Sequence, residues 1–158
     1  MSNYIKIKDN ASGYPIDLLS IPFHYRNDLE NIMIPYGLIM DRTEAIANKI
    51  FNDFQLEESL VLLCVIKGGY KFFSTLIEKI QSKNRNNDKL SLPLKINFLC
   101  LKNDANSNHH IELMDTDDLS FIKGKNVLLI ENIVDTGVTL STIKNFICKL
   151  EPLSVKTC

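Results

Sequence analysis

Two carboxylates, an amide and a run of small residues lie close together in the last third of this 158-residue chain. Glu131, Asn132 and Asp135 directly follow the apolar residues 127–130, which are typical of a strand that is covered on both faces. The sequence Thr-Gly-Val-Thr at 136–139 then provides small residues at the place where a helix should begin. The pattern predicts a strand, a polar turn and a helix, with the polar groups at the carboxyl end of the strand.

A turn of this composition is suited to binding a phosphorylated sugar. Helix N-termini present unpaired backbone N–H groups and a partial positive charge, and they bind phosphate for that reason. Gly137 lets the backbone approach a ligand, while Thr136 and Thr139 add hydroxyl donors. Carboxylates beside such a cradle would meet the hydroxyl groups of the sugar, or a magnesium ion that the sugar phosphate carries.

A second turn, Lys67-Gly68-Gly69, follows another apolar run at residues 60–66. Its glycines would expose N–H groups in a concave nest that suits pyrophosphate, although an ordinary strand-to-helix turn is the alternative interpretation. The carboxyl ends of parallel strands bind the ligands of such sheets. We therefore expect both turns at one edge of one sheet, with strands 60–66 and 127–130 adjacent and parallel.

Strand patterns alternate with helix patterns along the chain, which predicts an α/β fold with a mostly parallel sheet and right-handed crossovers. Asp41 and Glu44 resemble a capping box at a helix start. Leu140, Ile143, Ile147 and Leu150 would form the apolar face of the last helix. The predicted helices are 24–32, 41–54 and 70–81; the predicted strands are 60–66, 92–101, 127–130 and 155–158; residues 83–89 and 103–118 are predicted polar loops.

Composition and charge fit one domain over residues 1–158, with 45% hydrophobic and 23% charged residues. A net charge of −1 indicates no general attraction to a nucleic acid polymer or to a membrane. The first ten residues lack the apolar core of a signal peptide. The 4 cysteines are scattered and form no CxxC pair, which favours reduced thiols in a cytoplasmic protein.

Four blocks, in this order and spacing, resemble the hypoxanthine-guanine phosphoribosyltransferases of the type I phosphoribosyltransferase family. They are GYPIDLLSIPFHY at 13–25, LIMDRTE at 38–44, CVIKGGYKFF at 64–73 and GKNVLLIENIVDTG at 124–137. The resemblance covers residues 13–158 and implies a Rossmann-like, mostly parallel sheet. Because chains of that family continue further, it also implies a sheet that is incomplete at the C-terminus.

The resemblance implies an enzyme of purine salvage. Such an enzyme transfers phosphoribose from phosphoribosyl pyrophosphate (PRPP) to hypoxanthine or guanine, giving IMP or GMP and pyrophosphate. Magnesium (Mg2+) would accompany PRPP, and the family implies a homodimer or homotetramer. The sequence leaves one alternative open: a truncated, non-catalytic relative that binds nucleotide or PRPP phosphates or pairs with a full-length subunit.

The roles of individual residues also follow from the resemblance. Asp135 would act as the general base that takes the proton of the purine ring nitrogen, although an N-cap of the following helix is the other interpretation of this residue. Glu131 would meet the ribose hydroxyls and, through PRPP, the magnesium ion. The predicted PRPP- and nucleotide-binding residues are Lys67, Gly68, Glu131, Asn132, Ile133, Val134, Asp135, Thr136, Gly137, Val138 and Thr139.

Three departures from the pattern of the family are present. Asn132 stands where a second acid is usual, and Val138 stands where lysine or arginine is usual. Leu101-Lys102 is followed by Asn103-Asp104 instead of a Ser-Tyr pair, at the start of a loop that closes over the reacting centre in the family. The motif His-His-Ile-Glu at 109–112 lacks the spacing of a helical zinc motif, and we interpret it as part of a solvated loop.

Overall fold

The computed structural model describes residues 4–66, 68–103, 109–113 and 118–158. The chain divides into two compact units, Met1–Arg42 and Thr43–Cys158, and the single domain over 1–158 stays a prediction. In the first unit, strand β1 (Tyr14–Pro15) pairs antiparallel with strand β2 (Asn31–Ile32). One-turn 3-10 helices lie at Ile16–Leu18 and Phe23–Tyr25.

The predicted helix over residues 24–32 is wrong. Only the 3-10 turn Phe23–Tyr25 forms there, and the segment ends in β2. A helical segment this short is not stable by itself, because helix nucleation costs more than one or two turns of hydrogen bonds return. Backbone pairing of Asn31 with Pro15 across β1 and β2 provides the alternative.

Helix α1 spans Tyr36–Phe54 and therefore begins before the predicted residue 41. The carbonyl oxygen of Pro35 accepts the N–H groups of Leu38 and Ile39 at 3.0 and 3.2 Å. Asp41 consequently lies inside the helix, and the predicted capping box is wrong. The carboxylate of Glu44 pairs instead with two lysines of the next helix.

The second unit is built on a five-stranded sheet, as the α/β prediction requires. Its strands are β3 (Leu60–Ile66), β4 (Leu94–Asn103), β5 (His109–Leu113), β6 (Asn126–Ile130) and β7 (Ser154–Thr157). Their order is β5-β4-β3-β6-β7. Strand β3 is parallel to both β4 and β6, and β6 is parallel to β7, while β5 runs antiparallel to β4. The mostly parallel sheet is confirmed.

Helices cover both faces of this sheet, which explains why its central strands are apolar throughout. Alternate side chains of β3 point to opposite faces. One set packs against α1 and against α2 (Tyr70–Arg85), and the other packs against α3 (Val138–Cys148). The first core contains Leu60, Leu62, Cys64, Leu128, Phe51, Leu76 and Ile80; the second contains Val61, Leu63, Val65, Leu129, Ile143 and Ile147.

Two predicted loops contain regular structure. Helix α2 continues to Arg85, so the first part of the predicted loop 83–89 is helical. Strand β5 lies inside the predicted loop 103–118, where Ile111 is paired with Leu101 of β4. Antiparallel pairing with an open edge uses main-chain groups, so it needs no apolar alternation in the sequence. The remaining parts of that loop, 104–108 and 114–117, lie outside the described residues.

Within the described ranges, no helix is both long and apolar enough to cross a membrane. No disulfide joins any of the four cysteines, all of which lie in the described part of the chain. Cys64 is buried in β3 and Cys148 is exposed on α3, in the element types that the sequence predicts.

Candidate functional site

The candidate site begins where β6 leaves the sheet. Ile130 is fully buried, and the N–H of Glu131 still donates to the carbonyl oxygen of Cys158, next to β7, at 3.0 Å. Residues 132–136 then form an exposed turn before helix α3. The backbone of Glu131 is thus fixed by the sheet, whereas the groups after it face outward from the carboxyl end of the strand.

Gly137 is the N-cap of α3 and has a left-handed backbone, with φ 77°. A side chain at this φ is strained, and glycine is the residue that adopts it at little cost. Space is not the constraint, because an added Cβ atom would meet only Cγ1 of Val134, at 3.9 Å. The N-cap interpretation of Asp135 is wrong, since the cap lies two residues later.

The first turn of α3 leaves backbone donors without helical partners. The first helical hydrogen bond runs from the N–H of Ser141 to the carbonyl oxygen of Gly137, at 2.9 Å. The N–H of Val138 donates to Oγ1 of Thr136 at a long 3.4 Å. Thr139 and Leu140 follow in the same turn, and their N–H groups have no preceding carbonyl to bond. These two amides are therefore the strongest candidates for an anion site.

A cavity of about 280 Å³ opens over this turn. Its size lies near the lower limit of small-molecule sites, which begin at roughly 300 Å³. It brings together most of the predicted residues, and it also includes Leu140, which the sequence pattern indicates only as part of the apolar face of the helix. The lining residues are Glu131, Ile133, Val134, Asp135, Thr136, Gly137, Thr139 and Leu140. The predicted residues Asn132 and Val138 lie beside this cavity in sequence but do not line it.

The second turn, with Gly68 and Gly69, lies at the same edge of the sheet, as predicted. It follows β3, whose parallel neighbour β6 leads into the first turn. The two turns are in contact, because a Cβ atom added to Gly68 would lie 3.2 Å from Nδ2 of Asn132. Lys67 itself lies outside the described residues.

The carboxylate of Glu131 acts on two neighbouring groups at this edge of the sheet. The N–H of Asn132 donates to Oε1 of Glu131 at 3.1 Å. Burial, and to a lesser extent the Glu131 carboxylate, raises the pKa of the neighbouring Cys64 thiol to about 11. A thiol with that pKa stays protonated near pH 7, so Cys64 is not a candidate nucleophile.

Over the part of the chain that the structure describes, no three His, Cys, Asp or Glu side chains are grouped as they would be around a metal ion. Glu131 and Asp135 nevertheless place two carboxyl groups at one cavity. Magnesium keeps several waters and is usually held by one or two carboxylates together with the phosphates of a substrate. The donor set therefore fits an ion that arrives with a phosphorylated ligand and does not resemble a closed metal site.

A parallel sheet with a phosphate-type turn and two acids at its carboxyl edge is the arrangement expected of a phosphoribosyl transferase domain, and the family model with that description matches residues 36–158. The hypoxanthine-guanine phosphoribosyltransferase of Rattus norvegicus is 44% identical over 158 residues, covering 99% of this chain and 72% of the rat protein. That of Homo sapiens is 44% identical over 154 residues, covering 96% and 70%.

Solved structures agree. The hypoxanthine-guanine phosphoribosyltransferase of Schistosoma mansoni in complex with IMP matches with a TM-score of 0.77 and 29% identity, covering 96% of this chain and 69% of that one. The enzyme from Bacillus anthracis matches with a TM-score of 0.61 and 25% identity, covering 80% and 67%. The chain belongs to the hypoxanthine-guanine phosphoribosyltransferase family.

Proposed function

We propose that this protein transfers the phosphoribosyl group of PRPP to a ring nitrogen of hypoxanthine or guanine, releasing pyrophosphate and giving IMP or GMP. The observation that carries the proposal is the cavity at the start of α3, which Glu131 and Asp135 line together with Thr139 and Leu140. The chain that holds this cavity is 44% identical to proteins named for this reaction. The non-catalytic alternative is not favoured by this likeness.

In the proposed complex, the 5-phosphate of the ribose lies on the N–H groups of Thr139 and Leu140. The Oγ of Thr139 adds a donor, and the dipole of α3 favours the negative charge. Val138 contributes no cationic side chain and is 54% exposed, so backbone groups hold the phosphate. The Gly68–Gly69 turn at the same edge receives the pyrophosphate.

Asp135 is the proposed general base. Asp135 lines the cavity together with Thr139 and Leu140, whose N–H groups hold the phosphate in this proposal. Its carboxylate can there take the proton that the purine ring nitrogen loses on bond formation. Glu131 is half-buried and fixed by the sheet through its own N–H. In the proposed complex it binds the ribose hydroxyls and stabilises the positive charge that develops on the ribose.

Magnesium completes the proposal as an ion that would arrive bound to PRPP, and Glu131 would hold it indirectly, through PRPP. When bound, it would neutralise charge on the departing pyrophosphate. The protein itself contributes the carboxylates of Glu131 and Asp135 and the Gly68–Gly69 turn. These groups bind and orient PRPP before any bond breaks. Assembly as a homodimer or homotetramer and a cytoplasmic location are also proposed, from the family alone.

Ribose 5-phosphate is the simplest probe of this site. Amide NMR signals of residues 136–140 should shift during titration, because the ligand would hydrogen bond to those N–H groups. In parallel, formation of IMP from hypoxanthine, PRPP and magnesium should be measured for the wild type and for Asp135→Asn. Unmoved signals at millimolar ligand, together with no IMP, would refute the proposed function.

A further inference from the structure

The carboxamide of Asn132 lies against the backbone of the neighbouring turn at Gly68. A Cβ atom added to Gly68 would lie 3.2 Å from Nδ2, 3.5 Å from Oδ1 and 3.8 Å from Cγ of Asn132. The shortest of these is closer than ordinary contact between a Cβ atom and a neighbour. The side chain of Asn132 therefore fills space that any larger residue at position 68 would need.

Gly69 makes a different contact. A Cβ atom there would lie 3.2 Å from the carbonyl oxygen of Val65, and 3.7 and 3.9 Å from the backbone N and Cβ of Asn132. Gly69 thus packs against main-chain atoms that would remain if Asn132 were shortened. Substitutions at Gly68 therefore test the Asn132 carboxamide, whereas substitutions at Gly69 test the surrounding backbone.

The backbone of Asn132 is connected to the sheet through hydrogen bonds of Glu131. Its N–H donates to Oε1 of Glu131, and the N–H of Glu131 is bonded to Cys158 next to β7. Among the described residues, the carboxamide of Asn132 has no hydrogen-bond partner, so its contact with Gly68 is one of shape. An uncharged side chain also adds no repulsion next to an anionic ligand.

We infer that Asn132 is a positioning residue: its side chain supports the Gly68–Gly69 turn and so fixes the place where pyrophosphate is received. The inference rests on the proposed function, in which that turn receives the pyrophosphate of PRPP. It also gives a reason for an amide at this position, since the shape of the side chain, and not a negative charge, performs the task.

Pyrophosphate binding tests the inference. Inorganic pyrophosphate with magnesium is titrated calorimetrically into the full chain. Ribose 5-phosphate is present at saturation, so that the proposed phosphate site at the start of α3 is already occupied. Asn132→Ala removes the carboxamide, whereas Asn132→Leu keeps its branched shape without its hydrogen-bonding groups. We expect Asn132→Ala to weaken pyrophosphate binding about tenfold, because small displacements of binding groups are costly. Asn132→Leu should stay within about twofold of the wild type, since the support remains.

Double variants supply the matched control. Gly68→Ala displaces the same carboxamide that Asn132→Ala removes, so the two changes together should weaken binding little more than either alone. Gly69→Ala presses on the Val65 carbonyl oxygen, so its effect should multiply with that of Asn132→Ala. Substitutions that share one contact are non-additive, and independent ones are additive.

The outcomes are distinguishable. Asn132→Ala protein that binds pyrophosphate as tightly as the wild type would overturn the inference, and so would Asn132→Leu protein that binds as weakly as the alanine variant. Additive effects of Gly68→Ala and Asn132→Ala would also overturn it. Wild-type protein that binds ribose 5-phosphate but not pyrophosphate would exclude the positioning role alone, whereas protein that binds neither would refute the proposed function as well.

Discussion

Gly137 shows how a single backbone angle can shape the site. Its φ of 77° turns the chain from the exposed segment after β6 into α3, whose first turn contributes Thr139 and Leu140 to the lining of the cavity. The chain offers a second left-handed glycine, Gly124, with φ 68° and open space around it. Substituting each of the two glycines distinguishes the cost of a side chain in left-handed backbone from the loss of ligand binding.

Gly137→Ala and Gly124→Ala should therefore lower the free energy of unfolding by similar amounts, about 1–2 kcal/mol, the cost of a side chain in left-handed backbone. Only Gly137→Ala should also weaken ribose 5-phosphate binding, because only that glycine lies at the start of α3, next to the proposed phosphate site. Urea denaturation gives the first quantity and NMR titration the second. Ribose 5-phosphate binding by Gly137→Ala at wild-type affinity would contradict the assigned role.

Asp135 and Glu131 should respond differently to loss of charge. Asp135→Asn should lower turnover by about 10²–10⁴-fold, the usual contribution of a positioned base. The Michaelis constant for PRPP should change little, because the proposed contacts to the phosphate come from amides of α3 and not from Asp135. Glu131→Gln should raise that constant and lower turnover as well, since it removes charge next to the ribose. Steady-state kinetics decides, and the reverse pattern would mean that the two roles are exchanged.

At the scale of secondary structure elements, the strand–turn–helix of the site was predictable because its signals are local. The apolar run, the acids and the glycine are consecutive in sequence, and β6 and α3 form where expected. Through-space effects were not predictable. Glu44 resembles a capping residue in sequence, yet Lys79 and Lys83 of α2 pair with it at 3.0 and 2.8 Å.

The contrast between local sequence signals and contacts through space also explains the other differences between the predicted and the observed structure. Strand β5 depends on an open edge of β4, which no residue of 109–113 announces by itself. Leu140 belongs to the site because it is the third residue of α3 and its N–H lacks a helical partner. It could be predicted only once the residue at which α3 begins was known. The contact between Gly68 and Asn132 joins two segments that are distant in sequence, so only the pairing of β3 with β6 brings it about.

The Glu44 pairs give a pH prediction. Lys83 first, and then Lys79, hold the pKa of the Glu44 carboxyl below its ordinary value of 4.5. The stabilisation is fully present above that value and is lost as the pH falls through the lowered pKa. Glu44→Gln should therefore lower the free energy of unfolding at pH 7 by less than about 1 kcal/mol, because the side chains are partly exposed. The difference from the wild type should shrink below pH 4.5.

Glu151 provides the control for this prediction. It pairs with Lys123, and both side chains are far more exposed, at 69% and 70%. Glu151→Gln should change stability less than Glu44→Gln at pH 7, because solvent screens the more exposed pair. Thermal unfolding between pH 3 and pH 8 measures both variants, and a Glu44→Gln effect that persists unchanged in acid would contradict the assignment.

At the scale of the whole molecule, the thiols report on whether the core that contains Cys64 is intact. Cys64 is fully buried with a pKa raised to about 11, whereas Cys148 is exposed on α3. A disulfide reagent near pH 8 should label Cys148 rapidly and should label Cys64 only when the sheet opens. Mass spectrometry of labelled peptides gives the order, and a Cys148→Ser variant removes the fast phase. Equal rates at the two thiols would contradict the described packing.

The position of β3 at the centre of the sheet has a kinetic consequence. One neighbour, β4, follows through a single crossover, whereas β6 must return from beyond β5 to pair on the other side. Contacts between segments that are distant in sequence form slowly, because a long loop must close before they contribute. Since the two turns meet only through that second pairing, the refolding chain should acquire the ability to bind ribose 5-phosphate and pyrophosphate together after most of its helical signal has returned.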